Sequence, residues 1–207
     1  MLFDYIFHFS IKTQNFAEIL FTALVRAVTD WIILGCYTGF QKSAWCSDHH
    51  DLYTTINDPN WDDQPNVLPT ILEDFSFLTT TGCCIHDVKA TSDEDITFTT
   101  LCFHKQKIND NGQTLTYRRC ADSHWLCPTQ ASLNIVRRAR RLGWPHNSPA
   151  AVYRDPNTGK HRIITALQVA ILLRHVVHKV FDIPMGHRDL LMWSCHSIRV
   201  TAANLLH

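Results

Sequence analysis

The chain has 207 residues, 45% of them hydrophobic and 18% charged, which is enough for one well-buried domain and too apolar for disorder throughout. Its formal net charge is zero, yet residues 1–100 hold four Lys or Arg against fourteen Asp or Glu, a net −10, and residues 101–207 hold fifteen against five, a net +10. The zero therefore does not exclude a polyanionic partner: the second half carries enough positive charge to grip nucleic acid, unless the two halves pair with each other inside the fold.

The opening MLFDYIFHFSI is apolar but short, lacks a basic leader and carries Asp4. It suits neither a signal peptide nor a membrane span, so residues 1–14 are read as an N-terminal remnant or linker and 15–207 as one domain. From Asn15 to about Cys36, apolar residues at Phe16, Ile19, Leu20, Ala23, Leu24, Ala27, Val28 and Trp31 recur at helical spacing and predict a long core helix, with Gly35 and Gly39 where it should end or bend. Thr38 to Cys46 then forms a turn leading into another helical segment. Residues 47 to about 70 are rich in Asp, Asn and Pro and read as a solvated acidic loop.

Strand signals follow at Cys83 to Val88, Ile96 to His104 and Gln113 to Arg118. Between the last two lies Asn109-Asp110-Asn111-Gly112, whose Asn-Gly pair is a hairpin signal. Helices return with Pro128 at a first helical position and Gly143 at a stop; Ala131, Ile135 and Ala139 lie on one side, with Arg137, Arg138, Arg140 and Arg141 elsewhere. Asp155-Pro156-Asn157-Thr158-Gly159 is a turn. Thr165-x-x-Gln168 is a capping box opening a helix to about Phe181, with Ile171, Leu172, Val176 and Val180 as core residues. Pro184 and Gly186 break it before a last helix capped by Ser194, in which Ile198, Ala202 and Leu205 form one stripe. The fold class expected is α+β, mainly α-helical with a small three-stranded antiparallel sheet.

Eight cysteines in a chain of this size are not the dense framework of a small secreted domain, and are read as thiols without disulfides in a reducing, intracellular compartment. Cys120, His124 and Cys127, and Cys83, Cys84 and His86, form local clusters, but neither has the paired C-x2-C spacing of a zinc knuckle, so no metal and no cofactor is expected.

On the last helix His196 and Arg199 are three apart and project from one face. An imidazole and a permanently cationic fork on one rigid face suit a reacting phosphate. His196-Ser197-Ile198-Arg199 resembles the H-x-x-R box of tyrosine recombinases, also called phage-type integrases, and within them the eukaryotic mobile-element branch. Thr38-Gly39-Phe40-Gln41-Lys42-Ser43-Ala44-Trp45 is similar to that family's first box, T-G-x-R-x-x-E. Lys107, ahead of the Asn-Gly turn, sits where the family has a hairpin lysine.

The resemblance implies a catalytic domain of the DNA breaking-rejoining type, with duplex DNA as partner, a homo-oligomer on the DNA as an option, no membrane, and the nucleus as compartment if the host is eukaryotic. It implies attack of a tyrosine on a phosphodiester, a phosphotyrosyl intermediate, and arginines and a histidine matching the phosphate charge. Carried over, Arg199 clamps a non-bridging oxygen, His196 bonds the same phosphate and Lys107 protonates the departing 5′ oxygen, with Lys105, two residues away on the same strand face, as its rival. Lys42, Lys105, Arg137, Arg138 and Arg141 are candidate DNA contacts.

Two departures stand out. The first box has Gln41 where the family has arginine and Ala44 where it has an acid; losing a transition-state arginine costs on the order of 10³ or more in rate. Adjacent Lys42 points about 100° away on a helix and is no substitute. Only eight residues follow Arg199 and none is tyrosine, so the chain is read as truncated and inactive alone. Tyr5, Tyr37, Tyr53, Tyr117 and Tyr153 match no nucleophile motif. The alternatives are a degenerate DNA-binding module and an unrelated helical scaffold.

Overall fold

The computed structural model describes residues 16–39, 46, 69–88, 90–103, 112–121 and 126–198, with side chains from residue 23 onward. The long first helix, α1 (Phe16–Thr38), forms as its periodicity predicts, and from residue 23 onward it is largely buried: Val25, Ala27, Val28, Trp31, Ile32 and Leu34 all lie in the core. It ends where Gly39 adopts φ +63°, the left-handed conformation that glycine takes without a Cβ penalty. Trp31 is fully buried and meets Phe75 edge-on at 6.3 Å, fixing the helix against the sheet.

The sheet is three-stranded and antiparallel in sequence order: β1 (Phe75–Leu78), β2 (Phe98–Cys102) and β3 (Thr114–Arg118). Its register sets Phe75 opposite Leu101 and Leu101 opposite Leu115, so the apolar alternates share one face, while Ser76, Thr100 and Thr116 line up on the other. The β2–β3 pairing is the one expected from the Asn-Gly signal; the turn at 104–111, with Lys105 and Lys107, lies outside the described residues.

The first strand differs from expectation. Cys83 to Val88 is not a strand; it makes an isolated bridge from Cys84 to Leu78, and the edge strand is Phe75–Leu78 instead. The physical reason is the alternation: Phe75 and Phe77 point inward around an exposed Ser76, whereas Cys83, Cys84, His86 and Asp87 are all exposed and bury no face.

The helix α2 (Pro128–Arg141) packs on α1 and on the sheet. Pro128 opens it as expected, but the cap is the thiol of Cys127, whose sulfur accepts from Gln130 N at 3.4 Å and from Cys120 N at 3.2 Å. Gly143 follows its end at φ +69°. A second, two-stranded antiparallel sheet, β4 (Val152–Arg154) with β5 (His161–Ile163), flanks the Asp155–Gly159 turn. Three-residue strands carry too little alternation to announce themselves. The turn itself is built on Asp155, whose carboxylate accepts from Asn157 N, Thr158 Oγ1 and Arg162 Nε at 2.8–3.0 Å.

The helix α3 (Ala166–Phe181) opens on the expected capping box, Thr165 Oγ1 accepting from Gln168 N and Gln168 Oε1 from Thr165 N. Leu172 and Val176 are buried as predicted, Val180 is half-buried, and Ile171 is exposed, because the helix turns Val169, Leu173 and Val177 inward beside them. A short helix, α4 (Arg188–Leu191), follows, and residues 195–198 begin the last helix. Among the described residues no helix is long and apolar enough to cross a membrane. The coarse architecture is thus α+β, helical with a small three-stranded antiparallel sheet.

Candidate phosphate site

The last helix starts on the expected cap. Ser194 Oγ accepts from His196 N at 3.3 Å, while Ser197 Oγ accepts from Ser194 N at 3.1 Å and donates to Met192 O at 3.3 Å. These reciprocal bonds settle the first-turn donors and fix the rotation of the helix. Cys195 and Ile198 consequently face the core, and His196 faces solvent. Arg199 lies outside the described residues, as do Gln41, Lys42 and Ala44 of the first box and Lys105 and Lys107 of the hairpin. Ala202 and Leu205 do too.

The described chain beside those motifs meets at the C-terminal end of α1. The Cβ that Gly35 lacks would stand 3.1 Å from Ile198 Cγ2, so the first and last helices are in contact there. Cys46, which follows the first box, has its sulfur 4.0 Å from that of Cys195, which precedes His196. Tyr37, one residue before Thr38, packs edge-on against Tyr117 of β3 at 6.2 Å and accepts a hydrogen bond from its hydroxyl at 3.2 Å. β3 follows, along the chain, the segment that contains Lys105 and Lys107.

Burial pushes the Tyr117 phenol up to about 12, so the hydroxyl stays protonated and donating. Tyr153 accepts from Gln168 Nε2 at 2.7 Å, tying the β4–β5 hairpin to the start of α3.

Sequence reasoning missed Arg174. From α3 its Nε donates to Trp193 O at 3.1 Å and its Nη2 to Leu191 O at 3.3 Å, pinning the approach to the last helix. No local motif marks it; only the return of the chain past α3 brings these carbonyls to it.

The basic helix α2 is engaged largely within the fold. Arg137 donates to the carboxylate of Asp93, to Val88 O at 2.9 Å and to Thr91 O at 2.6 Å. Arg138 pairs with Asp30 on α1, which also accepts from Asn134 at 3.0 Å. Arg119 joins Arg137 on Asp93. The acidic first half and the basic second half therefore pair internally at Asp30 and Asp93, and two of the candidate DNA-contacting arginines have structural partners. Arg141 remains at the surface, with Nε donating to Arg137 O at 3.3 Å.

Asp93 makes this pairing measurable. Burial raises its carboxyl, but hydrogen bonds from Arg137 and Gln130 and the charges of Arg137 and Arg119 outweigh that and hold it below the ordinary 3.8. A depressed carboxylate contributes stability above its unfolded value that is lost as pH falls through the folded one. Urea midpoints followed from pH 6 into the range below 3.8 should fall more steeply for the wild type than for Asp93→Asn; parallel curves would dismiss the network as a pH-dependent support.

Comparison of the chain with protein-family models, with curated proteins and with solved structures finds no match.

Proposed function

We propose that residues 15–207 are part of the catalytic domain of a tyrosine recombinase of the mobile-element kind, that they bind duplex DNA, and that these residues alone do not cleave it. The observation that carries the reading is the meeting at the end of α1: the last helix through Gly35 and Ile198, the residue after the first box through Cys46 and Cys195, and the hairpin strand through Tyr37 and Tyr117. Three boxes far apart in sequence can serve one phosphate only if the chain beside them converges. The exposure of His196, on a helix whose rotation is fixed by Ser194 and Ser197, supports a role as donor to a phosphate oxygen.

The same reading implies a limited activity. Gln41 is neutral and cannot make the bidentate charged bond of an arginine. Tyr117 and Tyr153 have hydroxyls engaged in the fold, so neither is offered as a nucleophile.

The test joins a tyrosine-bearing recombinase segment after His207 and introduces Gln41→Arg and Ala44→Glu. On a pool of nicked duplexes, which trap the intermediate by losing the 5′-hydroxyl strand, a protein–DNA adduct stable to denaturant is expected, and Arg199→Ala should abolish it. A folded, DNA-binding protein that forms no adduct would reject the recombinase reading. If its affinity also falls steeply between low and physiological salt, the degenerate DNA-binding module takes its place.

A further inference from the structure

We propose that Cys46 and Cys195 form a reversible disulfide that ties the segment after the first box to the helix bearing His196. The two sulfurs are 4.0 Å apart across 149 positions of sequence, and both residues are buried, at 4% and 7% exposure. The helix of Cys195 is held in place independently, by the contact of Ile198 with Gly35 and by the clamp of Arg174 on Trp193 O and Leu191 O. The position of Cys195 is therefore set by the fold, and its sulfur lies 4.0 Å from that of Cys46. A disulfide needs a sulfur separation of about 2.05 Å, so the two sulfurs at 4.0 Å must approach by about 2 Å when the bond forms.

The oxidant is a low-molecular-weight disulfide of the glutathione type. The thiolate of one cysteine attacks it, forming a mixed disulfide and expelling one glutathione thiolate. The second cysteine attacks the protein sulfur of that mixed disulfide and expels the other. Two protein thiols are oxidised to one disulfide, one glutathione disulfide is reduced to two thiols, and the two thiol protons leave with them. Because both sulfurs are buried, the first attack proceeds through local opening and is slow, and the finished bond is shielded from reductant in the same way.

The pairing does not depend on recombination chemistry. The whole 207-residue protein is incubated, folded, with oxidised glutathione, then denatured and alkylated. The expected products are the loss of two alkylatable thiols, a peptide linking Cys46 to Cys195, and an unfolding temperature several degrees higher that reverts on treatment with dithiothreitol, since the bond closes a long loop. Cys46→Ala and, separately, Cys195→Ala should each remove the link and the shift. Cys46 and Cys195 recovered as alkylated thiols, carrying only glutathione, or joined to other cysteines would overturn the proposal.

Discussion

Replacing Arg138 by Met is expected to destabilise the fold by about 3–5 kcal/mol, because it leaves the Asp30 carboxylate buried without its counter-ion. Asp30 is 7% exposed, in the seam between α1 and α2, and it receives Arg138 and the amide of Asn134, one turn apart on the same face of α2. Burial already pushes its carboxyl above the ordinary value of 3.8, against the pull of Arg138 and Asn134. A carboxyl raised in the folded state contributes favourably below its unfolded value and loses that contribution as pH rises through the folded one. The variant should thus be weakest at neutral pH and recover toward the wild type as the medium is acidified and Asp30 takes up a proton.

Asp30→Leu combined with Arg138→Met should restore most of the loss, since an apolar pair of similar volume removes both charges from the interior. Recovery stays incomplete because Asn134 loses its acceptor. Urea midpoints of the three proteins decide the matter. A single Arg138→Met that costs under about 1 kcal/mol would mean that the pair is solvated and contributes as surface pairs do.

Asp30 and Asp93 also show where the sequence was silent. A net −10 and a net +10 in the two halves are equally good evidence for a polyanion footprint and for an internal pairing, because charge counts contain no distances. Only the packing of α1 on α2 decides that Arg138 turns inward. The helices were legible for the opposite reason: capping chemistry and periodicity are local, so Thr165 with Gln168, Pro128, and Ser194 announced their helix starts directly. The edge strand Phe75–Leu78 is not legible because four residues with two inward Phe carry little signal beside an acidic stretch. At the candidate site, the spacing of His196 to Arg199 is a local signal, whereas Arg174, Tyr117 and Gly35 act through contacts between distant segments. No motif length reaches that far.

The contact of Gly35 with Ile198 is where the convergence at the end of α1 can be broken or repaired by design. A methyl at Gly35 would stand 3.1 Å from Ile198 Cγ2, tighter than ordinary van der Waals contact, while alanine gains about 1 kcal/mol of helix propensity over glycine. Gly35→Ala is therefore expected near neutral, the propensity gain offsetting a few tenths of an ångström of displacement. Gly35→Leu has no such balance: overpacking should cost about 1–3 kcal/mol and push the last helix outward. Ile198→Ala alone empties a buried site and should cost about 2–5 kcal/mol. Combined, the larger side chain at position 35 fills the space that Ile198 vacates, so the double variant should be more stable than the sum of the singles by about 1–3 kcal/mol. The His196 imidazole resonances should shift in Gly35→Leu and return toward their wild-type positions in the double variant. Strict additivity in the denaturant midpoints, with no movement of the His196 signals, would separate the two helices and remove the main support for a shared phosphate site.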